Sequence, residues 1–214
     1  MYLKTIMICV LLILCKHVYT QDRVNINIGD VSVPKDAEVT LKLEHRIQHY
    51  NKSLNSGGNT YDRSINSPKS VNILTAKNKF YIHSLEGHTT SVYSTENFVK
   101  IKDIHHVFGK ENQFLFNKNE TEDYIFRTKK YDLNSFKGKP VEGCFSHDGR
   151  YLWVTYYRRS YDLNAIDPSA VCVIDTETDS IVRVLPTGAL PKMISCSADN
   201  KTIAITHWGD NTVI

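Results

Sequence analysis

The chain has 214 residues, 41% of them apolar and 23% charged, with a formal net charge of +3. Such near neutrality supplies no long-range field to hold nucleic acid or an anionic membrane, which excludes the partners that electrostatics alone would recruit. Beyond the first twenty residues no segment is apolar enough to cross a bilayer.

Those first residues place Lys4 ahead of an apolar run from Ile6 to Leu14 and end at Val18-Tyr19-Thr20. This is the three-part layout of a secretory signal peptide, and the run is too short for a hydrocarbon core of about 30 Å. Cleavage near Thr20 is expected, and with it export to a periplasm or cell surface. Lipidation at Cys15 is a second reading that the bulk of Leu14 disfavours, and an uncleaved anchor is a third. Removing residues 1–20 lowers the balance to +1 and leaves Cys144, Cys172 and Cys196. An odd number of cysteines spread through strand-like sequence reads as small apolar residues, not as a disulfide framework.

Residues 21–67 divide in two. VNINI alternates with Val24, Ile26 and Ile28 on one face, and EVTLKL with Val39, Leu41 and Leu43 on one face, with Pro34 and Asp36 at a turn between them. Two half-buried strands are predicted. Residues 51–67 are polar and aperiodic around Gly57-Gly58, which predicts a loop or linker and a soft boundary before Pro68.

From Pro68 the sequence repeats. TAKNKFYIH, FSHDGRYLWV and CSADNKTIAI align so that Asn78, Gly149 and Asn200 occupy one place. Gly and Asn accept positive φ at least cost, so each marks a hairpin corner. The outgoing strands FYI, YLWVTY and TIAIT are nearly continuous in apolar or β-branched residues, which predicts cover on both faces. A second element joins SVYSTENFVKIKDI to VCVIDTETDSIVRVL, with Asp175 and Thr176 placed to bond backbone at the turn. Short strands restarted several times predict an all-β protein of radially repeated sheets.

The stretches VIDTETDSIV, PTGALPKMISCSADNKTIAITHWGDNTV and FSHDGRYLWVTY resemble the YVTN β-propeller repeat family. The resemblance implies a β-propeller, here about three partial four-stranded antiparallel blades over residues 68–214. It implies little about activity, because one fold hosts many functions. Trp208 and Gly209 sit where the family is plainer, and the first copy is degenerate.

The corners are spaced by 71 and 51 residues, against about 40–45 for a compact blade. Insertions are therefore placed at 109–138 and 156–169. Both carry YDLN beside cations and tyrosines: Tyr124, Arg127, Lys129, Lys130 and Tyr131 in one, and Tyr156, Tyr157, Arg158, Arg159 and Tyr161 in the other. Aromatic faces with guanidinium forks suit a glycan, a carboxylate or a partner's acidic patch, so Tyr156, Tyr157, Arg158, Arg159, Tyr161, Arg127, Lys130 and Tyr131 form the candidate loop site. The plainer alternative packs these loops over a neighbouring blade and pairs the arginines with Asp132 and Asp162.

Other polar groups assemble less. His83, Glu86 and His88 have no enforced ligand geometry, and His105 and His106 point to opposite faces of any strand. His207, with Trp208 and Asp210, is the candidate to face a central channel. No P-loop, GxSxG, HExxH or paired CxxC occurs, so no catalytic, metal or cofactor residue is assigned. The preferred function is an exported, non-catalytic propeller presenting loops to a protein, glycan or cell-envelope partner. The alternatives are a propeller enzyme, either a lactonase-like hydrolase or a quinone- or haem-dependent oxidoreductase, and a structural surface-layer module. A closed ring needs at least about 170 residues, and Pro68 to Ile214 is 147. The expectation is a piece of a longer propeller, or one completed by another chain.

Overall fold

The computed structural model describes residues 26–32, 38–53, 55–116, 135–160 and 162–214. The expected signal peptide, Cys15 within it and most of the 109–138 insertion lie outside the described residues. The chain divides into two compact units, Met1–Arg46 and Ile47–Ile214.

In the first unit β1 (Val31–Ser32) pairs antiparallel with β2 (Leu41–Lys42). The pair is closed by the Gly29 N–H donating to the Leu43 carbonyl at 2.7 Å. Of the second predicted strand only Leu41–Lys42 forms, with Val39 and Leu41 exposed instead of half-buried, and the first is displaced. Val24 lies outside the described residues, Ile26 is exposed, and the chain turns where the Asn27 N–H donates to Asp30 Oδ2 at 2.6 Å. An Asn-Ile-Gly-Asp turn overrides the alternation that predicted a strand there.

A short pair comes next in the chain, β3 (Arg46–Gln48), which begins at the last residue of the first unit, and β4 (Asn59–Tyr61). The stretch expected to be only loop thus contains a strand, too short to show a period. After it, Ile65 is buried against Ile82 and Tyr93.

Three meanders follow. The first blade is β5 (Pro68–Leu74), β6 (Lys79–Ser84), β7 (Thr89–Ser94) and β8 (Lys100–His105). The second is β9 (Gly138–Ser146), β10 (Tyr151–Arg159), β11 (Pro168–Asp175) and β12 (Ser180–Ala189). The third is β13 (Pro191–Cys196), β14 (Ile203–His207) and β15 (Thr212–Val213). Every neighbouring pair is antiparallel and in chain order. The leading strands β5, β9 and β13 lie side by side, with Ser70 Oγ donating to the Val141 carbonyl at 2.6 Å and Asn72 Nδ2 to the Gly143 carbonyl at 2.8 Å. Leading strands together with later strands stepping outward is the radial arrangement of a β-propeller. The only helical turns among the described residues are 3₁₀ segments at Thr75–Lys77 and Lys110–Leu115.

The corners form as their chemistry requires. Asn78, Gly149 and Asn200 have φ of 52°, 84° and 60° and link β5 to β6, β9 to β10 and β13 to β14. At Gly149 a Cβ would also fall 2.4 Å from Leu74 Cδ1 of the preceding blade.

The main core lies between the first two blades, where Leu74, Tyr81, Val92 and Ile104 meet Leu152, Val154, Tyr156 and Ile174. A second core joins Val171 to Ile194 and Ile205, with Trp153 packed against it. β10 is covered on both faces, which is why YLWVTY has no alternation. β14 is covered on one, with Ile205 buried and Ala204 exposed.

The acidic turn after β11 clasps the preceding blade. Asp179 accepts Lys79 at 2.7 Å and the Tyr81 hydroxyl at 2.8 Å, and Glu177 pairs with Lys77 at 2.6 Å. Burial and this carboxylate together push the Tyr81 phenol upward. Within its own blade Thr176 Oγ1 donates to the Gly149 carbonyl at 2.6 Å, and the Glu177 N–H donates to Asp175 Oδ1 at 2.8 Å.

Leu152→Ala should lower stability by about 2–5 kcal/mol through the cavity it leaves. Gly149→Ala should cost at least about 1–2 kcal/mol, through the left-handed backbone and through the contact its Cβ would force on Leu74. Urea unfolding followed by tryptophan fluorescence measures both.

Candidate functional site at the loop end of the sheets

Because strands alternate in direction, the corners at 75–78, 147–150 and 197–202 gather at one end of the stack. The connections 85–88, 160–167 and 208–211 gather at the other. Contacts between blades agree: the His147 N–H donates to Asn200 Oδ1 at 2.7 Å at the corner end. At the loop end Lys139 pairs with Glu86 at 2.9 Å, and His88 Nδ1 lies 2.8 Å from the Gly138 carbonyl, to which it donates.

The connection between β10 and β11 is braced from within. The Arg159 guanidinium pairs with Asp162 at 3.1 Å, and the Arg159 N–H donates to the same carboxylate at 2.6 Å. Asp167 Oδ2 accepts the Leu163 and Asn164 N–H groups at 2.7 and 3.0 Å. With the aspartates engaged by the loop, its large exposed side chains beside Asn164 are apolar: Leu163 is 82% exposed and Ile166 63%.

The connection after β14 is held in the same way. Asp210 Oδ1 accepts the Thr212 hydroxyl at 2.6 Å, and Oδ2 accepts the Ala189 N–H at 3.1 Å. Burial opposes ionisation there, but the Thr212 and Ala189 donors and His207 hold the Asp210 carboxyl below its ordinary value. At Gly209 a Cβ would lie 1.9 Å from the Ala165 carbonyl oxygen, so only glycine lets the two connections meet. Beside it Trp208 is 64% exposed, with Lys192 Nζ 5.1 Å from its ring centroid.

Among the described residues the members of each candidate set take up different roles. His207 does not face a channel. It is buried where β12 passes into β13, its Nε2 accepting the Gly188 N–H at 3.0 Å and lying 2.6 Å from Thr187 Oγ1. Acceptance at Nε2 puts the proton on Nδ1, 3.4 Å from Thr212 Oγ1. Burial lowers the readiness of this imidazole to charge, against the pull of Asp210. Asp210 braces the same crossover while remaining exposed, and Trp208 also reaches solvent, so only His207 of the three is buried.

In the other set, β10 runs through Arg159, so Tyr156 to Arg159 belong to a strand and the connection proper is 160–167. Tyr156 is fully buried in the core between blades. Arg159 is taken up by Asp162, as the plainer alternative expected, and sits 5.9 Å from the Phe136 ring centroid. Tyr157 and Arg158 are half-buried, the guanidinium 5.7 Å from the tyrosine ring centroid. Tyr161, Arg127, Lys130 and Tyr131, with Tyr124 and Lys129, lie outside the described residues.

Sequence reasoning also passed over a buried polar chain between the first two blades. Asn72 Oδ1 lies 2.8 Å from His83 Nε2, and His83 Nδ1 2.8 Å from Thr90 Oγ1. Thr90 Oγ1 lies 2.7 Å from His106 Nε2, and His106 Nδ1 2.8 Å from the Tyr156 hydroxyl. Cys172 Sγ stands 3.7 Å from the same Nδ1. His83, Thr90, His106, Tyr156 and Cys172 are all fully buried. Burial pushes the Cys172 thiol up to about 12 and the Tyr156 phenol well above its ordinary range. The one legible signal is that His83 and His106 sit within strand-like runs, where a polar side chain needs a partner.

Stacked antiparallel meanders with their leading strands together define a chain of the β-propeller class. No protein-family model matches the chain, and no curated protein matches it. Among solved structures it is similar to a proposed 6-phosphogluconolactonase from Bacteroides uniformis, with TM-score 0.45 and 14% identity over 70% of this chain and 35% of that one. A proposed 6-phosphogluconolactonase from Bacteroides fragilis gives TM-score 0.45 and 15% identity over 70% and 34%. The Cps50 (Swd1) β-propeller domain of Myceliophteria thermophila gives 0.39 and 11% over 61% and 35%. The chain spans about a third of the length of each. The assignment of fold rests on the sheets themselves.

Gly209→Ala should separate the two connections. Hydrogen exchange at the Leu163 and Asn164 amides should then quicken by at least tenfold, with the amides of β10 and β11 unchanged.

Proposed function

We propose that the chain is an exported, non-catalytic binding scaffold, built on YVTN-type repeats, that offers the surface formed by Leu163, Ile166 and Trp208 to a protein partner. The observation that carries this reading is an apolar surface on two connections whose aspartates are all engaged internally. Singly exposed apolar residues are ordinary, but several on touching, internally braced loops mark an interaction site. A glycan site would need free polar groups converging on a ring. Here Asp162, Asp167 and Asp210 are committed to loop contacts, which favours a protein over a sugar. Export is supported by the charge, apolar run and small-residue layout of residues 1–20. Among the described residues no helix is long and apolar enough to cross a membrane.

The test compares the purified chain with a Leu163→Ser, Ile166→Ser, Trp208→Ser variant on arrays of immobilised extracellular proteins and of glycans. The expected outcome is retention of one or more proteins by the parent, a loss of at least tenfold in the variant, and matched thermal unfolding. Retention on glycans, or protein binding that survives the three substitutions, refutes the assignment of this surface.

A further inference from the structure

The Asn72–His83–Thr90–His106–Tyr156 chain has a single direction of donation. Asn72 spends its amide N–H on the Gly143 carbonyl at 2.8 Å, so its oxygen faces His83 and accepts from Nε2–H. A neutral imidazole has one N–H, so His83 Nδ1 must accept, and the Thr90 hydroxyl donates to it. The Thr90 lone pair then accepts from His106 Nε2–H, and His106 Nδ1 accepts from the Tyr156 hydroxyl. Every link is satisfied only with both imidazoles neutral in the Nε2–H form.

A proton added at either Nδ1 reverses a link of this order and buries a charge. On His83 it points at the Thr90 oxygen, which already receives His106 and whose own hydrogen then loses its acceptor. On His106 it meets the Tyr156 oxygen and turns the phenol hydrogen towards Cys172. The groups facing the pair are Asn72 from β5, Thr90 from β7, the Gly143 carbonyl from β9, Tyr156 from β10 and Cys172 from β11, with His88 and His105 acting on His106 at longer range. None is a carboxylate that could receive a buried imidazolium.

We propose that this chain is an acid-sensitive latch between the first two blades, holding them while both imidazoles are neutral and releasing them when either is protonated. Asn72, His83, Thr90 and His106 belong to the first blade and its edge, and Tyr156 and Cys172 to the second, so the chain crosses the interface at His106–Tyr156 and at Asn72–Gly143, and the order of donation inside the first blade sets both crossings. The direction with pH follows from the burial of both rings, which lowers His83 to about 3 and His106 well below its ordinary value. The unfolded chain takes up protons near pH 6.5 and the folded one does not, so stability is complete above that pH and falls as pH drops towards 3. Each histidine weakens the folding equilibrium about tenfold per pH unit in this window, and the two together about a hundredfold.

The test uses the full chain. Urea unfolding between pH 7 and 5, above the range where ordinary carboxylates titrate, should give a steep loss of stability. His83→Gln and His106→Gln should each remove about a tenfold change per pH unit from that slope. In parallel, NMR of ¹³C,¹⁵N-labelled histidine in the unsubstituted protein reads the two rings directly. Both should remain neutral Nε2–H tautomers at pH 5 in the folded state, while amide protection at the contact of β6, β7 and β10 declines before that of β13 and β14. Should the glutamine variants fail to fold, the NMR titration decides alone. A ring that charges with a midpoint near 6.5 in the folded protein, or a pH slope unchanged by both substitutions, overturns the latch.

Discussion

Burial of the second blade on both faces is the constraint from which the rest follows. A sheet with one wet face can leave its polar groups to solvent, whereas β10 and β11 cannot. Their apolar residues are supplied with partners by Leu74, Tyr81 and Val92 on one side and by Ile194 and Ile205 on the other. Each polar side chain caught in these layers must be matched inside the protein. The acidic turn that grips Lys77, Lys79 and Tyr81, and the histidine chain that ends on Tyr156, answer the same requirement at the rim and in the middle of one interface. Neither contributes through charge alone, because Asp179 and the two imidazoles are valuable chiefly for satisfying neighbours that would otherwise be stranded.

The loop end shows what the same economy does at a surface. Asp162, Asp167 and Asp210 shape their connections by accepting backbone and side-chain donors, and so are withdrawn from any outside partner. The large side chains left exposed beside Asn164 and Asn211 are leucine, isoleucine and tryptophan. A surface can thus become more apolar than its sequence: DLNAIDP reads as a polar turn, yet its two aspartates are spent on the loop's own donors. Close approach of Gly209 to Ala165 then converts two separate turns into one platform.

What could be read in the sequence was whatever depended on local backbone chemistry. Asn78, Gly149 and Asn200 announce positive φ by residue type, and the unbroken apolar run of YLWVTY announces cover on both sides. Features set by distant partners were not legible. Nothing in VNINI says that the following Gly-Asp pair will turn the chain first. Tyr156 and Arg159 look like neighbours of Tyr157 and Arg158 in one cluster, until strand alternation and an ion pair with Asp162 send them elsewhere. His106 is invisible as a structural residue because its partners Thr90 and Tyr156 lie 16 and 50 positions away.

The one-way order of donors from Tyr156 to Gly143 has a mechanical consequence. Apolar faces tolerate sliding, since a leucine displaced by one repeat of the pleat meets another apolar residue. A file of five side chains tolerates no such shift: moving one sheet by two residues, about 7 Å along the strand, would part the Tyr156 hydroxyl from His106 and Asn72 from the Gly143 carbonyl, the two links that cross between the sheets. Oil-like layers supply the adhesion here, and the polar file acts as the key that leaves the two sheets a single permitted alignment.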